Sequence, residues 1–453
     1  MGFADDHLVP LVDEGLGNSA YLVDLGDGRA LAVDASRDLR ALRSEARRRR
    51  LTVAFAADTH LHADFLTGAL QLAADDGATV LASAAGRRAF EHRALADGDE
   101  VDLGGLTLRA LATPGHTDEH LSFLLLDGTR ELGVFTGGSL IVGSAARTDL
   151  LGADRAEELA RAQYRSLHRL TRLPDTTPVW PTHGAGSFCS APQGAERTTT
   201  IGAEKRANTL LTAPDEESFV RRLLGGLGSY PAYFDRLAEA NRRGPEPLPA
   251  APSLPALSPA EVRRLRGEGA GIVDVRPVED FAAGHIPGAL SVHLRDQFAT
   301  WLGWLLPDDT PLVFVTAPGQ DLAELIWQSL KIGHQRLCGR VTMDAWTSAG
   351  GDHETVDLVP PDDVDADRPV LDVRQRSECE AGHIPGAVTI ELGDLTDHTA
   401  EAPSGALVHC TRGERAMTAA SVLQRAGHHD VTVLRGGPED WSRTTGHPLR
   451  TED

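Results

Sequence analysis

An α/β multi-domain protein is the fold class that this sequence of 453 residues predicts, and three observations predict it. A proline-dense stretch divides the chain, which no helix or central strand tolerates. The part after it carries one pattern twice. In both copies, short β-branched runs alternate with helical runs closed by glycine, the signature of a parallel sheet covered by helices.

The part before the divide opens with paired strands, SAYLVDLG and ALAVDAS, around the Gly26–Gly28 turn. A helix, ADFLTGALQLAADDG, follows, and then a second set of strands in TLRALATP, LSFLLLDG and GVFTGG. That mixture predicts two strand layers covered by helices, and the pattern alone fits α/β or α+β. The dividing stretch, 244–259, reads GPEPLPAAPSLPALSP and is expected to be a linker. Beyond it, DVRPVEDFAAGHIPGAL from Asp274 recurs as DVRQRSECEAGHIPGAV from Asp372, and Trp346 is matched by Trp441. A period near 100 residues exceeds the roughly 20–50 of solenoid repeats, so two tandem copies of one small domain are expected. The boundaries read 1–243, the linker 244–259, then 260–352 and 356–453.

Composition narrows the function classes. Sixty-six acidic residues against 44 basic ones leave a formal charge of −22, which disfavours a nucleic-acid binder. Hydrophobic content of 41% with 24% charged residues reads as globular and soluble, with no apolar run of the ~20 residues that a membrane helix needs. The start, MGFADDHLVP, lacks a basic and then apolar leader, and four cysteines make no disulfide framework. A cytoplasmic location is the expectation.

Histidines carry the first chemical signal. The strand VAFAAD runs into Thr59-His60-Leu61-His62-Ala63-Asp64, and in extended chain alternate side chains project together. His60, His62 and Asp64 are therefore expected to converge on a metal nest. His116 in ATPGHTDEH and His183 in PTHGAGSFC stand in glycine-flanked turns that suit a cleft rim.

These segments resemble the metallo-β-lactamase superfamily in its glyoxalase II and persulfide dioxygenase branch, over roughly residues 7–243. The branch carries T-H-x-H-x-D-H, then P-G-H-T, then T-G-D, then a T-H-G or G-H-G. The resemblance implies an αββα sandwich with metal at one edge. Two positions depart from it: Phe65 replaces the family's next histidine, and Gly138 in Thr136-Gly137-Gly138 replaces the aspartate. A binuclear hydrolase loses a bridging ligand by the second change, and its second position keeps only Asp64 and His183. A mononuclear iron site is expected instead, one Fe(II) per chain, with His62 completing a facial set with His60 and His116. Zinc in the same histidines, or no metal at all, is the alternative. The family's glutathione-binding G-R-T-D segment resembles SAARTDL, so the resemblance implies that Arg147 binds substrate.

The second signal is Cys410, between the strand ALVH and the helix AMTAASVLQRAG, with Thr411, Arg412, Gly413 and Glu414 looping around it to Arg415. Such a loop offers backbone N–H groups and a helix N-terminus to a thiolate or a persulfide. The two repeats resemble rhodanese domains, with D-V-R, G-H-I-P-G-A, C-x-x-G-x-R and a late tryptophan. Cys410 to Arg415 is C-x(4)-R, one residue shorter than the related phosphatase loop. In the first copy the nucleophile's position is Val315, which makes that copy silent. His285 and His383 occur in both copies and are expected to serve the turn.

Taken in order, the domains resemble bacterial persulfide dioxygenase–sulfurtransferase fusions. That resemblance implies oxidation of a low-molecular-weight persulfide such as glutathione persulfide to sulfite, with Cys410 passing sulfur on to give thiosulfate. The partners implied are the persulfide or thiol, sulfite and thiosulfate, dioxygen and a second copy of the chain, with no nucleic acid and no membrane. Two rivals stand: a sulfurtransferase with a metal-poor first domain, and a zinc thioester hydrolase.

Overall fold

The computed structural model describes residues 3–189, 196–250, 252–364 and 368–451. Packing divides the chain into two units, Met1–Ala251 with Leu330–Gly333, and the remainder.

The first unit contains two six-stranded sheets. One consists of β1 (Leu8–Asp13), β2 (Asn18–Asp24), β3 (Arg29–Val33), β4 (Thr52–Ala57), β5 (Thr79–Ser83) and β6 (Arg93–Leu95), in that spatial order. The other contains β7 (Glu100–Asp102), β8 (Thr107–Ala112), β9 (Leu121–Asp127) and β10 (Arg130–Gly137). A small hairpin of β11 (Leu140–Ile141) and β12 (Ser144–Ala145) intervenes before β13 (Pro178–Pro181) and β14 (Thr199–Thr200) complete that sheet, in the order β14-β13-β10-β9-β8-β7. Antiparallel meanders and parallel crossovers are mixed in both sheets.

Alternation along the strands sets the layers. Tyr21 and Val23 of β2, Leu31 and Val33 of β3, Leu108 and Ala110 of β8, and Phe123 and Leu125 of β9 meet in one buried cluster between the sheets. The intervening residues face outward. Leu22, Ala30 and Ala32 pack against Leu42 and Ala46 of the helix Arg40–Arg49 and Leu72 of the helix Ala69–Asp76. On the other side Leu124, Leu126 and Val179 pack against Ala160 and Leu167 of the helix Ala156–Leu170. The four layers are helix, sheet, sheet, helix, the αββα sandwich that the resemblance implies.

One local expectation is corrected. The helix read from Ala63 begins only at Ala69. Asn241, fully buried on the helix Phe234–Arg243, donates to the carbonyls of His62 and Phe65 at 2.7 and 2.8 Å and accepts from Thr67 N–H at 2.9 Å. These bonds occupy the backbone groups with which a first helical turn would have formed.

The second unit holds two parallel sheets. β15 (Gly271–Asp274), β16 (Leu290–Ser291), β17 (Leu312–Val315) and β18 (Leu337–Val341) stand in the order β16-β15-β17-β18. β19 (Asp357–Val359), β20 (Val370–Asp372), β21 (Val388–Thr389), β22 (Leu407–His409) and β23 (Thr432–Leu434) stand in the order β19-β23-β22-β20-β21. His285 and His383 do equivalent work in the two copies: each Nδ1–H donates to a carbonyl four residues back, at 2.9 and 3.1 Å, where the short preceding helix ends. Between the helices Phe234–Arg243 and Pro259–Gly267 the described residues form no helix or strand, and Ala251 lies outside them.

Candidate active sites

The first site lies at the C-terminal end of β4, where Asp58 to Asp64 leave the sheet and are almost wholly buried. The segment is not a strand, yet the rings of His60 and His62 still lie close, with centroids 4.1 Å apart; what differs is where their nitrogens go. His60 meets His116 and His183, with one ligand atom of each within 4.8 Å of the others. The Nε2 atoms of His60 and His183 are 3.4 Å apart. His62 commits its Nε2–H to Asp34 Oδ1 at 3.1 Å, and its ring stacks on Phe65. The facial set of His60, His62 and His116 is therefore not among the groups that the fold assembles. His62 belongs to a second group, with Asp64 and His183.

Asp34, on the turn after β3, is the residue that sequence reading missed. It accepts from Thr59 N–H and Oγ1–H at 2.7 Å each, from Thr182 and from His62. Burial pushes its carboxyl up, but the His62 imidazole and these donors outweigh burial and hold it at about 2. Nothing near Asp34 in sequence announces a role, because its partners lie 25 to 148 positions away. His120, also missed, donates from Nδ1 to Thr113 Oγ1 at 2.9 Å and accepts Gly138 N–H at Nε2, so both its nitrogens are used.

The residues at this point suit a metal ion. Burial, reinforced by the neighbouring imidazoles, holds His60 far below the usual histidine range and His116 and His183 at about 3, so all three are neutral donors at pH 7. His62 Nδ1 and Asp64 Oδ1 are buried without a hydrogen-bond partner.

Acid lability follows. His60, His116, His120 and His183 stay neutral in the fold, whereas the unfolded chain protonates near pH 6.5. His62, which burial lowers but Asp34 raises above its ordinary value, is protonated in both states below pH 6.5 and offsets nothing there. Asp58, Asp64 and Glu119, pushed up by burial, hold protons in the fold that the unfolded chain has released. The four histidines outnumber the three opposing carboxyls, so the unfolded state binds more protons and metal-free protein is expected to lose stability as pH falls below 6.5. Urea midpoints at pH 5.0, 6.0 and 7.5 check this, and a flat profile would contradict it.

Arg147 does not reach outward as the resemblance implies. Its Nε and Nη2 donate to the Asp149 carboxylate at 2.7 Å, while Nη1 and Nη2 also reach the carbonyls of Phe188 and Gly228 at 3.1 and 2.9 Å. Tyr230 lies against the guanidinium, 4.4 Å from its carbon to the ring centre. With its donors engaged by its own fold, Arg147 instead orients the first site: its carbonyl accepts His116 Nδ1–H at 2.7 Å.

The second site is the loop after β22. Gly413, at φ +107°, turns its N–H onto Cys410 Sγ at 3.1 Å, and the helix Glu414–Arg425 begins at the next residue. The left-handed backbone there requires glycine. Cys410 is 1% exposed and lies at the N-terminus of that helix. Thr411 and Arg412 are exposed on the outer rim. Arg415 does not point at sulfur: it forms a two-armed pair with Glu378 at 2.7 and 2.8 Å and donates to Thr411 Oγ1 at 2.9 Å, clamping the loop. Glu378→Ala is expected to cost about 1–2 kcal/mol in urea unfolding, a figure discounted because Glu378 is one-third exposed. Cys379, by contrast, is pushed up to about 12 by burial and is inert.

Comparison with known proteins agrees with this division. The rhodanese-like domain family matches residues 258–347 and 360–444. The human mitochondrial persulfide dioxygenase ETHE1 is 30% identical over 197 residues, which span 43% of this chain and 70% of that protein. The chain belongs to the persulfide dioxygenase family. It spans 70% of the human relative's length and 60% of that of the bovine one. A hydroxyacylglutathione hydrolase from Methylococcus capsulatus is 36% identical over 186 residues, 39% of this chain and 64% of that protein. The crystal structure of a metallo-beta-lactamase from Staphylococcus aureus superposes with a TM-score of 0.67 at 27% identity, covering 74% of this chain and 98% of that one. In this member a metallo-β-lactamase fold is fused to two rhodanese domains, which ties the chain to sulfur metabolism. No helix among the described residues is long and apolar enough to cross a membrane.

Proposed function

We propose that this chain oxidises a low-molecular-weight persulfide to sulfite in its first unit and carries sulfane sulfur on Cys410 in its second, working in a reducing, cytoplasmic setting. The observation that carries the reading is the Cys410 thiol under the Gly413 N–H and a helix N-terminus, in the same chain as a buried imidazole cluster. The working parts are taken as 1–243, 260–352 and 356–453, joined after the first by 244–259.

In the first reaction persulfide, dioxygen and water give thiol, sulfite and two protons; the outer sulfur is oxidised and dioxygen reduced. An Fe(II) ion, one per chain, would be held by His60, His116 and a third imidazole and supplies the redox chemistry with dioxygen. The chain's own contribution is a dry pocket of neutral donors, with His116 aimed by the Arg147 carbonyl and His60 by Thr59. In the second reaction sulfite attacks the outer sulfur of a Cys410 persulfide. The sulfur–sulfur bond breaks, thiosulfate leaves, and the thiolate that remains is stabilised by Gly413 N–H and the helix end.

Iron content and oxygen uptake on glutathione persulfide, measured on one preparation with sulfite and thiosulfate assayed, test the reading. Near-stoichiometric iron and uptake are expected; protein supplied with Fe(II) that consumes no oxygen would overturn it. A second reading, sulfur transfer alone, rests on Gly138, which leaves no carboxylate on β10's end to join His60 and His116. Metal-free protein with full transfer of sulfur from thiosulfate to cyanide is its signature.

A further inference from the structure

We propose that the third metal ligand is His183, so that the ion is held by Nε2 of His60, His116 and His183, while His62 is a positioning residue that buttresses the site through Asp34. The proposal deepens the reading above and rests on it only for the identity of the metal.

Hydrogen bonds determine the tautomers. Thr59 Oγ1–H is committed to Asp34 Oδ2, so the bond between Thr59 Oγ1 and His60 Nδ1, 2.9 Å long, is donated by the ring. His116 Nδ1 meets the Arg147 carbonyl at 2.7 Å, and His183 Nδ1 meets the Asn18 side-chain oxygen at 2.9 Å; both partners only accept. All three rings carry their proton on Nδ1, and all three present a bare Nε2 lone pair. His62 is the opposite case, its Nε2 turned to a carboxylate.

Two bare lone pairs, those of His60 and His183, then face each other at 3.4 Å. Without a proton between them this is repulsive, and a cation resolves it. The spacing fits: two nitrogens ~2.0–2.1 Å from one ion at a tetrahedral angle stand roughly 3.3–3.4 Å apart. The tethers have the character of outer-shell partners, each fixing a ring and its tautomer. Asn18 extends the chain by donating to Asp64 Oδ2 at 2.6 Å, which holds that carboxylate beside the site.

Gly138 belongs to the same arrangement. A Cβ at that position would lie 2.3 Å from His116 Cδ2 and 3.0 Å from its Nε2. The His116 ring occupies the space in which an aspartate side chain would start. His183 therefore supplies a donor that this ring position denies to residue 138, and returning the carboxylate displaces a ligand rather than adding one.

The test is Co(II) titration of the metal-free full-length chain, followed by visible absorption and with no substrate present. Wild type is expected to bind one Co(II) with a ligand-field band. His183→Ala abolishes the band at one equivalent, His62→Gln retains it, and Asn18→Ser, which removes only the tether, weakens binding by about 10- to 100-fold. Added imidazole restores the band in His183→Gly, which a merely structural role would not allow. Gly138→Asp weakens binding. No Co(II) bound by wild type, loss in His62→Gln equal to that in His183→Ala, or tighter binding by Gly138→Asp would each overturn the proposal. Should His183→Ala fail to fold, Asn18→Ser and imidazole rescue of His183→Gly decide. Persulfide-dependent oxygen uptake is read separately with Fe(II). A protein that binds through the three histidines and oxidises no persulfide retains this ligand set and loses only the functional reading.

Discussion

Cys410→Ser is expected to abolish sulfur transfer from thiosulfate to cyanide, on the order of a thousandfold or more, because a serine hydroxyl neither ionises near neutral pH nor stores sulfur as a persulfide. The substitution is nearly isosteric, so the Gly413 N–H, 3.1 Å from Sγ, keeps an oxygen acceptor and the loop keeps its shape. Any oxygen uptake should be unchanged. Among the described residues, Cys410 is the cysteine that lies at a helix N-terminus with a backbone donor on its sulfur. Mass spectrometry after incubation with thiosulfate should show one added sulfur atom on wild type and none on the variant. An added sulfur on Cys410→Ser would place the carrier elsewhere.

The complementary result is expected from His116→Ala. Removing this ring takes away one of the lone pairs that converge on His60 and His183 and leaves the Arg147 carbonyl without its donor. Metal content and persulfide-dependent oxygen uptake should fall to background, while sulfur transfer stays within about twofold of wild type, since the Cys410 loop belongs to the other compact unit. The orphaned carbonyl and the cavity together cost about 2–4 kcal/mol, so the comparison belongs at low temperature with the fold checked by circular dichroism. Loss of both activities in each variant would rule out two separable sites.

Much of this protein was legible from residue order because its signals are local. Alternation in SAYLVDLG and LSFLLLDG already separates the inter-sheet core from the helix-facing layer, since the strand period of two is a property of the backbone. Cys410 was legible for a similar reason: strand, four-residue loop and helix are contiguous, so the thiol's neighbours are its neighbours in the chain. The two GHIPGA turns likewise carry their histidine bonds within four residues.

The ligand arrangement was not local. From the sequence alone, His60, His62 and His116 formed a reasonable set, because two residues apart means the same side only if the segment is a strand. Asn241, some 180 positions away, ties the stretch from His62 to Thr67 into a loop, and Asp34 engages the Nε2 of His62. Arg147 was assigned to substrate on the strength of its motif, and Asp149, the Phe188 and Gly228 carbonyls and Tyr230 together engage it. Sequence by itself determined the layers, the repeat and the loop around Cys410, where covalent neighbours supply the environment. Tertiary structure alone decided which imidazole nitrogen is left bare, because that depends on which distant oxygen takes the proton of the other.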